Sequence, residues 1–222
     1  KAELVPSSTE LTHLCFGTVN GKDGKPFKTR DGGVMQLSEL LDSVTEYAYH
    51  KTKTSNVTDE HKRREYAEKI GIAAIKFGDL INHYSKDCAF DIDKFMASEG
   101  KTGVYLLYVI ARINSILRKI SASDLTKKKI NGIYSDSERD LIMMLALSGN
   151  AFISAYNEKA PNIVCENAYK IAVAFSKFYH ENHIINEDDT DKKQLWLTLC
   201  QITKQMLEKH LYVLGIESVD RM

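Results

Sequence analysis

The sequence predicts a mainly α fold, a helix bundle preceded by a short β-hairpin, on three observations. Residues 1–36 hold five of the 12 glycines and two of the 3 prolines. From Leu37 onward, apolar residues recur at helical spacing. Over 222 residues, 43% hydrophobic and 27% charged is enough apolar material for one sizeable core.

Within the glycine-rich stretch, residues 11–19 read as a strand, 20–25 as a turn and 26–28 as a short return strand. Asn20-Gly21 and Asp23-Gly24 are hairpin signals, because tight two-residue turns need positive φ and glycine adopts it freely. Leu37, Leu40, Leu41 and Val44 then open the first helical stripe. Residues 52–59 form the most polar connector. A second helix is predicted from Asp59 to about Tyr84, with Ile70, Ala73, Ala74, Phe77, Leu80 and Ile81 on one side. Ser135-Asp136-Ser137-Glu138 is a capping box ahead of an apolar run over residues 141–147. Pro161 suits the first turn of a helix that buries Ile163, Val164, Ala168, Ile171, Phe175 and Phe178. The last helix spans about residues 191–214, with a stripe of Leu195, Leu199, Ile202, Met206 and Leu207 and with Gly215 placed to end it. There is no internal repeat and no low-complexity segment.

Thirty basic residues balance thirty acidic ones, so no global positive field marks a nucleic-acid partner. A local basic face with stacking aromatics remains open as an RNA-binding device, and 11 Tyr and 8 Phe supply the rings. Cys15, Cys88, Cys165 and Cys200 are scattered without a C-x-x-C pair, which points to free thiols in a reducing cytosol rather than to zinc or a disulfide framework. No apolar run reaches the roughly 18–20 residues that cross a bilayer. The chain opens on Lys-Ala-Glu-Leu-Val-Pro rather than Met, so a piece cut from a longer protein is expected.

Three motifs fail on spacing or context. Gly100-Lys101-Thr102 has Phe95 where a P-loop has its first glycine. His180-Glu181-Asn182-His183 has its histidines three apart, whereas a zinc-protease helix needs four, and reads as a solvated helix end. Asn56-Val57-Thr58 is a formal sequon with nothing else to suggest secretion.

Gly24-Lys25-Pro26-Phe27-Lys28-Thr29-Arg30-Asp31-Gly32 reads either as an exposed basic hairpin tip or as a loop whose ammonium groups neutralise a triphosphate. At about 100° per residue, Tyr105, Tyr108 and Arg112 fall within an arc of about 60°, beside a core stripe of Leu106, Val109, Ile113 and Ile116. The bland reading is that the tyrosines edge the core and Arg112 snorkels.

Anchors along the whole chain resemble the arginyl-tRNA synthetases, a class I family. Lys25-x-x-Lys28-Thr29-Arg30 resembles the degenerate second signature of those enzymes, preceded by His13-Leu14-x-Phe16-Gly17 and followed by Gly32-Gly33 and Gln36-Leu37-Ser38-Glu39-Leu40-Leu41-Asp42. Ile70-Gly71-x-x-Ala74-x-Lys76-Phe77-x-Asp79-Leu80 resembles the family's stem helix. Phe90-Asp91 and the stretch from Glu99-Gly100-Lys101-Thr102-Gly103 through Tyr105, Tyr108 and Arg112 resemble its most characteristic segment. Leu214-Gly215-Ile216-Glu217-x-Val219-x-Arg221-Met222 resembles its C-terminus. His83-Tyr84, Cys88 and Lys101 depart from the family pattern.

The resemblance implies a bundle of the class I anticodon-binding type behind a hairpin remnant of a Rossmann-like catalytic domain. It divides the chain into residues 1–38, the end of the catalytic domain, and residues 39–222, with stem-contact helices over 39–100 and the anticodon-binding bundle over 101–222. The parent enzyme it implies joins L-arginine to tRNA(Arg) with ATP and Mg²⁺ through an arginyl-adenylate, as a cytoplasmic monomer with no membrane partner. Lys25, Lys28, Thr29 and Arg30 are then the ATP loop, with Lys25 and Lys28 as its catalytic cations, and no metal is bound by protein ligands. Tyr105, Tyr108, Arg112 and Met222 are the implied anticodon contacts. All arginine anticodons share a middle cytosine, so a pocket specific for one base suffices to reject most other tRNAs. The other class I signature, H-x-G-H, does not occur, so this piece alone is expected to be inactive and to carry no bound cofactor. Two alternatives stand beside this reading. One is a stand-alone helical binding or scaffold protein without a tRNA role. The other is a different class I synthetase such as the cysteinyl type, which the K-x-x-K-T-R loop and the I-E-x-V-x-R-M ending disfavour.

Overall fold

A computed structural model describes residues 5–6, 8–21, 24, 36–51, 59–120 and 132–222. The expected return strand at 26–28, the ATP-loop residues Lys25, Lys28, Thr29 and Arg30, and the basic run at Lys127–Lys129 lie outside the described residues.

Where the sequence shifts to helical spacing, the chain forms α1 (Leu37–Lys51) and α2 (Glu60–Leu80), which pack on each other. Asp59 caps α2 by accepting from the His61 and Lys62 amides. The helix stops short of Tyr84 because the Asn82 side chain donates to Gly78 O at 2.9 Å and the Asn82 amide turns back onto Asp79 O at 3.1 Å. The central helix is α4 (Gly103–Arg118), where ten of 16 residues are buried, Leu106, Val109, Ile113 and Ile116 among them. At about 1.5–3 kcal/mol for each large apolar side chain, this stripe is a main source of the bundle's stability. Gly103 lets α4 cross α2 closely: a Cβ there would lie 2.3 Å from Ala73 O.

The capping box forms at Ser135, whose hydroxyl accepts from the Glu138 amide at 3.3 Å at the start of α5 (Asp136–Ala146). Glu138 is fully buried and also accepts from the Tyr134 amide and from the Trp196 indole N–H, so its carboxylate is satisfied on both sides. The apolar run breaks at Leu147, which ends α5 and begins α6 (Ser148–Glu158). Pro161 starts α7 (Asn162–Glu181), and Asp189 caps α8 (Thr190–Val213). The face of α8 in the core is wider than its predicted stripe, taking in Trp196, Leu197, Cys200 and Leu211. Gly215, at φ +66°, closes α8 with Ile216 N–H donating to Leu211 O at 2.8 Å.

Among the described residues the strand expected over 11–19 is shorter than its sequence suggests. Residues 11–18 carry no strand, and β1 (Val19–Asn20) pairs in parallel with β2 (Cys88–Ala89), just ahead of the short helix α3 (Ile92–Phe95). The pairing is set by groups distant in sequence. The Asp87 carboxylate accepts from the Thr18 amide at 2.8 Å and hydroxyl at 3.0 Å, and these bonds hold it below the usual carboxylate range. Gly17 N–H donates to Tyr84 O at 2.8 Å, and a Cβ on Gly17 would meet Lys86 O at 2.2 Å. The departures His83, Tyr84 and Cys88 therefore lie where the N-terminal segment docks on the bundle.

Cys165 and Cys200 are buried and their thiols are pushed up to about 12 by burial, so they are inert core residues. His210 on α8 is fully buried, with Nδ1 donating to Met206 O at 2.7 Å and Nε2 lying 2.7 Å from the Asn167 amide oxygen. Burial lowers its pKa from 6.5, partly offset by the Met206 carbonyl. Such a group binds its proton more readily unfolded, so stability is lost as pH falls below about 6.5 toward the folded value. The urea midpoint is expected to drop between about pH 7.5 and about pH 5.5, and to drop less in His210→Gln. Equal drops in both proteins would remove His210 from this account.

Candidate nucleic-acid interface

The six residues of α4 that stay out of the core are Tyr105, Tyr108, Arg112, Ser115, Leu117 and Arg118. The first four share one face, because positions three and four apart stack along a helix. Thr102 sets the start of that face, its hydroxyl accepting from the Tyr105 amide at 3.0 Å and donating to Ala97 O at 2.7 Å. Against it lies α7, whose Ser176, Tyr179, His180 and following His183 recur at i, i+3, i+4 and i+7.

Between the two helices opens a cavity of about 850 Å³. Tyr108 and Arg112 line it from α4, and Ser176, Tyr179 and His180 line it from α7. His183 and the 3-10 turn Ile184–Asn186 complete the wall. The Arg112 guanidinium lies 4.5 Å from the Tyr108 ring centre and 5.3 Å from that of Tyr179, and donates to the Tyr108 hydroxyl. Cation–π attraction to both rings thus holds the planar cation in the cavity wall. No carboxylate among the described residues forms an ion pair with it, so its remaining donors are available. Tyr108 is 40% exposed. Tyr179 is backed by Phe175, with stacked rings 6.2 Å apart. Asn182 pins the end of α7 by donating to Phe178 O at 2.7 Å and to the Ser137 hydroxyl at 3.2 Å.

The four residues expected at the anticodon do not all meet here. Tyr108 and Arg112 do. Tyr105 turns toward α7, where its hydroxyl lies 2.9 Å from Ser176 Oγ and its ring 5.9 Å from that of Tyr169, and it does not line the cavity. Met222 packs half-buried against the core and is not part of the wall either. The tail that carries it is tied elsewhere: Arg118 donates to Asp220 O at 3.2 Å, Lys69 pairs with Glu217 at 3.2 Å, and Val219 is buried. Arg118 is six residues beyond Arg112, about 120° around α4. Lys101, a departure from the family pattern, pairs with Glu166.

Tyr179, His180 and His183 join the site although residues 180–183 read as a solvated helix end. Among the described residues no cluster suits a metal ion, and no helix is long and apolar enough to cross a membrane.

Residues 106–222 match the family model of the DALR anticodon binding domain, and residues 1–92 match that of the class I (R) tRNA synthetase catalytic domain. An arginine–tRNA ligase of Alkaliphilus oremlandii is 42% identical over 223 residues, spanning 100% of this chain and 38% of that protein. A second, of Agathobacter rectalis, is also 42% identical, over 100% of this chain and 39% of its own length. The chain thus spans well under half of these relatives. Among solved structures, Thermus thermophilus arginyl-tRNA synthetase superposes with a TM-score of 0.83 at 24% identity, over 95% of this chain and 35% of that one. Plasmodium falciparum arginyl-tRNA synthetase gives 0.70, also at 24% identity and with the same shares. These matches run over the whole chain and lend the scaffold alternative no support.

Proposed function

The chain belongs to the arginyl-tRNA synthetase family through its DALR anticodon-binding domain, and from that premise we propose that the α4–α7 cavity holds the middle base of the arginine anticodon. The observation that supports this most is an Arg112 guanidinium with no carboxylate partner among the described residues, in cation–π contact with Tyr108 and Tyr179 in the wall of an open cavity. An unpaired base fits that setting: its ring stacks on tyrosine while its edge meets the guanidinium fork. Cytosine offers adjacent O2 and N3 acceptors to a fork that only donates. Uracil presents N3–H at the same place, a donor facing a donor. The site therefore has a chemical reason to prefer cytosine.

Tyr105 and Met222 are the second tier of this reading, Tyr105 through its edge of the α4–α7 groove and Met222 through the tail that packs beside α4. In the longer protein, Lys25, Lys28, Thr29 and Arg30 would hold the ATP phosphates during arginyl-adenylate formation, with Mg²⁺ sharing the charge. We assign residues 1–38 to that catalytic domain, residues 39–100 to contact with the tRNA stem and 101–222 to the anticodon. The parent reaction is ligation of L-arginine to tRNA(Arg), carried out by a cytoplasmic monomer.

The test uses synthetic anticodon stem-loops of an arginine tRNA with cytosine, uracil or guanine at the middle position. Lost charge-assisted hydrogen bonds are worth about 1.5–3 kcal/mol, so cytosine is expected to bind roughly 10- to 150-fold tighter. Equal affinities for the three loops would overturn the reading.

A further inference from the structure

The face of α4 that carries Tyr108 and Arg112 does not end there. Lys119, the C-cap of α4, lies seven residues beyond Arg112, so it falls on the same side about 10 Å further along the axis. Ser115, exposed, lies between them. The helix contains neither Asp nor Glu. Lys119 is exposed and, among the described residues, forms no ion pair. In a chain with equal numbers of acidic and basic residues, two successive cations on one face with no carboxylate partner among the described residues are a local excess of positive charge.

Its neighbour behaves differently. Arg118 is directed to the C-terminal tail, where it donates to Asp220 O at 3.2 Å. At the other end of the face, Lys101 is paired with Glu166 and lies 5.8 Å from the Tyr169 ring centre. The basic pair at the end of α4 is thus split into one tail anchor and one cation that forms no ion pair among the described residues.

We propose that Lys119 binds a backbone phosphate of the RNA strand whose base occupies the Tyr108–Arg112 cavity. The inference rests on the anticodon reading of that cavity. The strand runs along the exposed face of α4, with Arg112 at the base and Lys119 at a phosphate flanking it. A compact ammonium on a flexible stem suits a phosphate, which offers charge without a fixed edge to read. Arg112 supplies selection and Lys119 supplies affinity that does not depend on sequence.

The test measures binding of the 222-residue chain to the same stem-loops across a salt series. A phosphate contact to single-stranded RNA contributes about 0.7 to the slope of log affinity against log salt. Lys119→Gln is expected to reduce the slope by about that amount, which is about fivefold in affinity near 0.1 M salt. It should weaken the cytosine and uracil loops equally. Lys119→Arg should restore the slope, and Arg118→Gln should leave it unchanged. An unchanged slope in Lys119→Gln, with wild-type thermal unfolding and wild-type base preference, would overturn the phosphate site and leave the anticodon reading standing. A change in base preference instead of slope would overturn it too, and so would an equal loss of slope in Arg118→Gln. No preference among the loops in the wild type would overturn the anticodon reading itself.

Discussion

Tyr108→Ala is expected to weaken binding of the cytosine stem-loop by roughly 5- to 150-fold, the range that one base stacked on an aromatic ring contributes. Tyr108 is 40% exposed and outside the core stripe, so its loss should leave thermal unfolding nearly unchanged. The ring also supports Arg112, through the cation–π contact at 4.5 Å and the bond to its hydroxyl. Removing it frees the guanidinium as well as the stacking surface, which favours the upper part of that range. Arg112→Lys keeps the charge but loses the planar fork and its stacking. It should retain most of the salt-dependent affinity while losing the preference for cytosine. Fluorescence anisotropy with labelled stem-loops, run beside thermal unfolding, reads both. A Tyr108→Ala protein that binds as the wild type does, or fails only by unfolding, would contradict the site.

The largest effect on stability is expected one helix away, at Phe178. It is fully buried, with Phe175 and Trp196 as ring neighbours, each 6.1 Å away. Phe178→Ala should cost about 3–5 kcal/mol, from lost transfer energy and the cavity left behind. For a chain of this size the melting midpoint should fall on the order of 10 °C. The next residue, Tyr179, faces the cavity and is only partly buried, so Tyr179→Ala should spare the midpoint and weaken RNA binding. Calorimetry on both variants tests whether adjacent positions separate in this way. A Phe178→Ala midpoint within a degree or two of wild type would show that the core is not organised around these rings.

The helices were legible because their signals are local. Capping side chains at Asp59 and Ser135, proline at 161 and glycine at 215 mark ends that hydrogen bonding within a few residues decides. The strand was not, since Val19 and Asn20 pair with Cys88 and Ala89, held by an aspartate 69 residues from Thr18. No local pattern reports such a partner. The site divides along the same line. One helical period places Tyr105, Tyr108 and Arg112 on one face of α4. Which of them looks into the cavity depends on α7, where Ser176 takes the Tyr105 hydroxyl toward itself. Tyr179, His180 and His183 also form a periodic face, but it gains meaning only once α4 is known to lie opposite. The tail folds back where its bonds to Lys69 and Arg118 put it, beside α4 rather than in the cavity.

The central claim is that the α4–α7 cavity reads the middle base, and a double-mutant cycle tests it most directly. The change from cytosine to uracil is made in the stem-loop for both the wild type and Tyr108→Ala, and the four affinities are compared. The account predicts a loss of roughly tenfold or more in the wild type and less than about twofold in the variant, because Arg112, which reads the base edge, has lost the ring that positions it. The same loss in both proteins would mean that the base is read elsewhere, and would contradict the assignment.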